Sequence, residues 1–286
     1  MKNKRCLFQE MGSMLLANLD TWLRSPRTLI MATFTTVTCW LIVRGYGKGL
    51  EIQQYTMHFD ESMAWFLMTG FSSMGLSSLV FLVMISELPR RIPFQQYTII
   101  RSTRNKWIGA QIIYCVLCIM VMIVMLILLI AIFVKPYTVS GSGWSDDIRI
   151  SNGLEQELAY VPQWIRENFT PWQTFLLSIV PIFFFWFVMA MTVLFFSLIR
   201  IPALGSSLYV IILFSGIIFM YENIPGLEPP MTFSTLMRIG YTYEDAFVQR
   251  LRNAFVVYGS LALTQIAAVL LVARRMDIPT YSLQKN

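Results

Sequence analysis

The sequence predicts an all-α membrane protein: six transmembrane helices behind an N-terminal amphipathic interfacial helix, with cytoplasmic N- and C-termini. Three observations predict it. Hydrophobic residues make up 56% of the 286-residue chain and charged residues only 13%, about half the roughly 25% usual in soluble domains. Six apolar runs approach or exceed the ~20 residues needed to cross a bilayer. Lys and Arg are distributed unevenly over the connections between those runs. The mean hydropathy of +0.59 agrees with the first observation.

The chain divides into an amphipathic cytoplasmic segment (1–27), a six-helix transmembrane domain (28–275) and a cytoplasmic tail (276–286). In CLFQEMGSMLLANLDTWLR, residues 6–24, Phe8, Met11, Leu15, Leu19 and Trp22 recur at spacings of three and four. Gln9, Glu10, Ser13, Asn18 and Asp20 take other positions. That pattern predicts a helix lying flat at the interface, which Ser25-Pro26 ends. No apolar signal core with a small-residue cleavage site follows the basic start, so the first span is expected to direct insertion.

The six spans are expected at about 28–44, 64–86, 108–134, 172–199, 203–221 and 254–273. The first is rich in threonine, whose hydroxyls can bond back to helix carbonyls. Pro225, Pro229 and Pro230 stop the fifth. The connection 222–253 has room for a short re-entrant or interfacial excursion near 231–240, covered by protein. The connection 135–171 holds a Gly/Ser turn and a short helical segment. Asn168-Phe169-Thr170 matches the N-glycosylation pattern only weakly, for want of a secretory context. The methionine-rich CIMVMIVMLILLI and the aromatic FFFWFVMAM read as lipid-facing or interhelical packing surfaces rather than as substrate surfaces.

With the N-terminus inside, fourteen of the 22 Lys and Arg residues fall on the cytoplasmic side and eight outside, and twelve of the 16 acids fall outside. The pI near 9.2 therefore reflects cytoplasmic retention of basic residues, not nucleic-acid binding. The chain belongs in a cell membrane, as a multi-pass protein of the bacterial cytoplasmic membrane.

Several chemistries lack their residues. No Asp, Glu, Lys, Arg or His lies in the middle of a predicted span, which disfavours ion-coupled transport. Gln111 and Gln265 are the larger uncharged polar groups there. His58, the one histidine, lies in an outer connection. No P-loop, H-E-x-x-H or G-x-S-x-G pattern occurs. Cys115 and Cys118 have CxxC spacing but sit inside an apolar run, so they read as packing. An enzyme within the membrane would need clustered nucleophile, base or metal ligands, and none is seen. No catalytic residue, cofactor or metal is expected in this chain.

The basic stretch SELPRRIPFQQYTIIRSTRNKWIGAQ, residues 86–111, joins the second and third spans. Arg90, Arg91, Arg101, Arg104 and Lys106 suit a cytoplasmic loop. Phe94, Tyr97 and Ile100 recur every third residue, so a short helix would present them on one side. Retention of positive charge explains the arginines but not this apolar face, which suits a protein-docking segment. Arg101 and Arg104 would steer at its rim. Glu87, the only acid of the stretch, would pair with an arginine of the same loop or cap the turn.

At these residues the chain resembles the six-helix permease subunits of export-type (type-two) ATP-binding-cassette transporters. Arg24-Ser25-Pro26-Arg27 matches the polar-Pro-basic step that ends their amphipathic helix. Glu87 takes the place of the acid at the end of the second helix. Phe94 to Ile100 takes that of the coupling helix, and Ser102 to Trp107 that of the basic run into the third helix. The long connection between the third and fourth helices and the Pro-rich PRRIP depart from the pattern. The resemblance implies an ATP-driven export subunit acting as a dimer with a second permease chain, identical or similar. Two copies of a separate ABC ATPase subunit, which would bind ATP and magnesium, would drive it. Glu87, Phe94, Tyr97, Ile100, Arg101 and Arg104 are the expected docking residues. The cargo implied is an amphipathic peptide such as an antimicrobial peptide, an antibiotic or a lipid-like molecule, and membrane lipids surround the subunit. The rival reading is a non-transporting scaffold or sensor that binds a cytoplasmic partner through the 86–107 loop.

Overall fold

In a computed structural model the chain is an array of α-helices. Residues 2–53, 56–68, 71–89, 104–145, 161, 163–221 and 247–275 are described. Side chains are described for those residues except 2–11, 52–53, 68, 71–74, 104–105, 163, 215–221, 247–251 and 253–254. The helices are α1 (Lys2–Leu23), α2 (Pro26–Gln53), α3 (Phe59–Met68), α4 (Phe71–Ile85), α5 (Arg104–Val134), α6 (Gln163–Asn168), α7 (Pro171–Leu198), α8 (Pro202–Tyr221) and α9 (Phe247–Arg275). No strand occurs among the described residues.

Four helices are long and apolar enough to cross a membrane: Pro26–Glu51, Lys106–Tyr137, Pro171–Leu198 and Phe255–Arg275. The protein is therefore membrane-embedded. Large apolar side chains stand exposed along these helices, among them Phe34 and Val37 on α2, Val124 and Leu128 on α5, and Leu263 on α9. Such a surface is at home in hydrocarbon and not in water.

Three expected spans differ in extent. The first was expected to stop at residue 44, where GYGKG follows. The helix runs on to Gln53 because tertiary contacts outweigh the low helix propensity of three glycines. Tyr46 is buried and stacks on Trp65 at 4.5 Å, with Phe66 edge-on at 4.9 Å. The ring of Tyr137 lies so close over Gly47 that a Cβ there would overlap it. The second, expected at 64–86, begins earlier, at Phe59 of α3, and α4 ends at Ile85; residues 69–70 between α3 and α4 lie outside the described residues. The sixth, expected at 254–273, belongs to a helix that begins at Phe247. The expected excursion at 231–240 and the tail 276–286 lie outside the described residues.

Successive helices alternate in direction. Arg27 meets Glu87 and Tyr46 meets Trp65, so α3–α4 runs antiparallel to α2. Tyr137 on Gly47 brings the end of α5 to the end of α2. Phe185 contacts Tyr209 while Gly205 abuts the Val193 backbone, so α8 runs antiparallel to α7. Phe184 contacts Phe255 and Gln265 bonds to Thr192, so α9 returns parallel to α7.

Helix α7 is the hub, packing against α3, α4, α5, α8 and α9. Of its apolar window 61% is buried, against 17% for α9. The aromatic run FFFWFVMAM is therefore interhelical: Phe185 through Met191 are all buried. The methionine-rich run of α5 is split, with Met122 and Leu126 buried and Met120, Val124 and Leu128 exposed. Cys115 and Cys118 are buried, consistent with packing. Thr170 caps α7 through a reciprocal capping box with Gln173. At the other end Ile201 N–H donates to Phe196 O at 2.9 Å. Arg200 there takes φ +67°, and Pro202 opens α8 where a missing N–H costs nothing.

Candidate functional site: the two ends of the helix array

One end is organised by α1. Its buried stripe is Met14, Asn18 and Trp22, flanked by Leu15 and Leu19 against the core. The sequence placed Leu15, Leu19 and Trp22 on that face but put Asn18 among the polar positions. Asn18 is instead 1% exposed, because it lies four residues from both Met14 and Trp22. The stripe faces α5, so α1 is docked on protein along this side. Phe8 and Met11 are helical, with side chains outside the described set.

The step from α1 to α2 is tightly bonded. Arg24 pairs with Asp20 at 2.9 Å, Ser25 N–H donates to Trp22 O at 3.0 Å, and the Thr28 hydroxyl donates to the same carbonyl. Arg27 then reaches the exit of α4. Its Nη1 lies 3.1 Å from Glu87 Oε1 and 3.4 Å from Ser86 Oγ, while Ser86 Oγ donates to Val83 O at 2.8 Å. Glu87 thus pairs with Arg27 of α2; Arg90, Arg91 and Arg101 of its own loop, the partners expected from sequence, lie outside the described residues, as does the Arg104 side chain. The physical reason is the antiparallel α2–α4 packing, which sets the start of one helix beside the end of the other. The pair is half-exposed, at 50% and 36%, so its stabilisation is a few tenths of a kcal/mol to about 1 kcal/mol.

Of the expected docking residues, Glu87 is placed by this contact. Arg104 is the first residue of α5, with its side chain outside the described set. Phe94, Tyr97, Ile100 and Arg101 lie outside the described residues. The sequence missed Arg27 as a member of the site. Its signal was available in Arg24-Ser25-Pro26-Arg27, a basic residue placed where α2 must begin.

At the opposite end, residues 57–62 and 139–145 interlock. Val139 N–H donates to Met57 O at 3.0 Å. His58 Nδ1 lies 2.8 Å from Gly143 O. With a carbonyl as acceptor, the proton must sit on Nδ1. Gly143 returns its N–H to Asp60 Oδ2 at 3.0 Å while holding φ +91°, a conformation glycine adopts without penalty. Glu61 Oε1 accepts from both the N–H and the hydroxyl of Ser145 at 3.1 Å. Its Oε2 accepts from His58 N–H at 3.0 Å. The His58 ring lies flat over Gly141, leaving no room for a Cβ. Trp144 Nε1 donates to Phe169 O at 2.7 Å, tying the same loop to the start of α7.

Asp60 is 5% exposed and Glu61 fully buried. Burial pushes the Glu61 carboxyl above the usual carboxylate range, against the opposing pull of the His58 and Ser145 donors. The sequence placed these acids in an outer connection. The hint it carried is their position just before an apolar run, where carboxylates favour a helix N-terminus. Among the described residues no cluster of His, Cys, Asp and Glu has the makings of a metal site. Comparison with known proteins finds no matching family model, no similar curated protein and no similar solved structure.

Proposed function

We propose that this chain is the membrane-spanning permease subunit of an ATP-driven exporter, powered by separate ATPase subunits that dock on the loop following α4. In this reading α2, α3–α4, α5, α7, α8 and α9 are six passes of a bacterial cytoplasmic membrane, with both termini inside. The alternating helix directions and the positive charge of the connection from α4 to α5 support that arrangement. The chain works as a dimer, or with a similar second permease, on two ATPase copies. The cargo class is an amphipathic peptide, an antibiotic or a lipid-like molecule.

The observation that carries the reading is the Arg27 contact to Ser86 and Glu87. It fastens the α1–α2 elbow to the point where the chain leaves α4 for the basic, aromatic-bearing segment. A push on that segment would act on α1 and α2 together as ATP binding closes the ATPases. The buried carboxylates among the described residues, Asp60 and Glu61, lie at one end of α3 and not in mid-span, which favours an external energy source.

Detergent co-purification tests the reading. The full-length chain should bring an ATPase with it, and the Phe94→Ala/Tyr97→Ala double variant should insert normally yet lose about 2–4 kcal/mol of that association. A chain that purifies without an ATPase but with another cytoplasmic protein on the same loop is a scaffold or sensor, and transport is then the wrong function.

A further inference from the structure

We propose that the end of α2 remote from α1 carries a docking site for the phosphate headgroup of an anionic phospholipid, formed by Trp40, Arg44 and Lys48 with Lys135 beside them. These cations are on the side of the membrane where charge asymmetry gives no reason for them. They also belong to neither of the two bonded ends described above.

On α2 the exposed residues Phe34, Val37, Trp40 and Leu41 give way to exposed Arg44 and Lys48. Trp40, Arg44 and Lys48 are four apart, so they form one stripe along the helix. The Arg44 guanidinium stands 5.0 Å from the centroid of the Trp40 ring. An exposed tryptophan directly beneath a cation is the composition of a bilayer interface. Tyr137, seated on Gly47, brings exposed Lys135 to the same end of the array. Lys135 follows Leu128 and Ile132, which are exposed and apolar. Two apolar stripes therefore end in cations at one level.

Charge and length choose the occupant. Ion pairs among the described residues join Asp20 to Arg24 and Arg27 to Glu87. Arg44, Lys48 and Lys135 have no ion-pair partner among them. Glu51, the exposed acid nearest along the stripe, lies beyond Lys48 and away from Trp40. Arg27 and Arg44 are seventeen residues apart, about 26 Å along a helix, slightly less than the ~30 Å hydrocarbon core. With Arg27 fixed at one boundary by Glu87, Arg44 lies at or just inside the other. A guanidinium at that depth needs an anion, and the bilayer supplies phosphates there. Arg44 offers a bidentate fork to a phosphate, and Lys48, one turn nearer water, a point charge. A zwitterionic headgroup carries its own ammonium and gains less from both. Docking of an anionic lipid would hold the outer end of α2 against a thinned leaflet.

The test places a photo-reactive residue at Leu41, exposed beside the stripe, in full-length protein in vesicles of equal phosphatidylglycerol and phosphatidylcholine. Mass spectrometry of the adducts should show phosphatidylglycerol captured about ten- to thirtyfold over phosphatidylcholine. The excess should shrink as salt is raised, vanish in Arg44→Gln/Lys48→Gln, and survive in the charge-preserving Arg44→Lys/Lys48→Arg, which also controls for folding. Equal capture of the two lipids overturns the proposal. So does an excess that persists in the Gln variant. A predominant crosslink to a second copy of the chain would assign the face to a protein interface, and loss of the excess to inorganic phosphate but not to chloride at equal ionic strength would assign the site to a free anion. Either outcome overturns the lipid.

Discussion

Glu61→Ala is the sharpest test of the interlocked end. The carboxylate is fully buried and accepts three hydrogen bonds, two from Ser145 and one from His58 N–H. Bonds to a charged group contribute ~1.5–3 kcal/mol each, and a buried donor left without a partner costs ~1–3 kcal/mol. Against this stands relief of burying a charge, several kcal/mol per ion. The balance is a net loss of about 2–4 kcal/mol, or roughly 5–15 °C in unfolding temperature at the few degrees per kcal/mol of a domain this size. Thermal unfolding in detergent reads it, and hydrogen exchange at Gly143 and Ser145 should accelerate with it. The pH dependence has a fixed sign. The folded Glu61 carboxyl is raised above its ordinary value, so its contribution is fully present below the unfolded carboxylate pKa and is lost as pH rises through the folded value. Wild-type stability should therefore fall across that window, Glu61→Ala should lack this component, and the penalty of the substitution should be larger in acid. An unchanged unfolding temperature, or a penalty that grows toward alkaline pH, would refute the reasoning.

Other expectations follow from single contacts. Gly47→Ala should destabilise by about 1–3 kcal/mol through overlap with the Tyr137 ring, and Tyr137→Ala in the same chain should remove most of the clash, as unfolding of the double variant would show. A double-mutant cycle on Arg27→Ala and Glu87→Ala should give a stability coupling below about 1 kcal/mol, yet uncouple ATP hydrolysis from transport; equal coupling efficiency in wild type and variants would count against the elbow's role. Ser78→Ala should cost up to ~2 kcal/mol by leaving the Trp186 N–H without its 2.9 Å acceptor, and adding Trp186→Phe should recover part of the loss in the same melt. A cysteine at Ser142 should react with an impermeant thiol reagent from outside intact cells and one at Ser102 should not; reaction at Ser102 would reverse the orientation.

Helix was legible nearly everywhere, because apolar runs near bilayer length leave the backbone few alternatives. What was not legible was where tertiary contacts override propensity. GYGKG reads as a stop, yet Tyr46 between Trp65 and Phe66, and Gly47 beneath Tyr137, keep α2 helical through it. The run 64–86 reads as one span, and hydropathy cannot see that its α3 part packs on α7 while its α4 part packs chiefly on α2. Asp60 and Glu61 fall among the acids counted outside. Part of what fills their acceptors comes from the backbone N–H groups of Gly143 and Ser145, some eighty residues away, and no local pattern announces that. Periodicity grouped the apolar residues of α1 correctly but could not tell that the face beneath them is protein, which draws Asn18 in. At the α4 exit, that Arg27 meets Glu87 depends on which helix lies alongside, which no local pattern states.

Specific contacts fasten α4 within the array. Ser78 does so at the centre: its hydroxyl accepts from Trp186 Nε1 of α7, and its backbone carbonyl accepts from the Tyr209 hydroxyl of α8 at 2.8 Å. Phe81, one turn on, stacks on the Trp186 ring at 5.1 Å. α3 is held by its packing on α7 and, through Glu61, by the 139–145 loop. α4 also packs on α2, which Arg27 joins to Glu87 just beyond the end of α4. In the proposed function, a push from the 86–107 segment would therefore reach α7 and α8 through Ser78 and Phe81, and the α1–α2 elbow through Arg27.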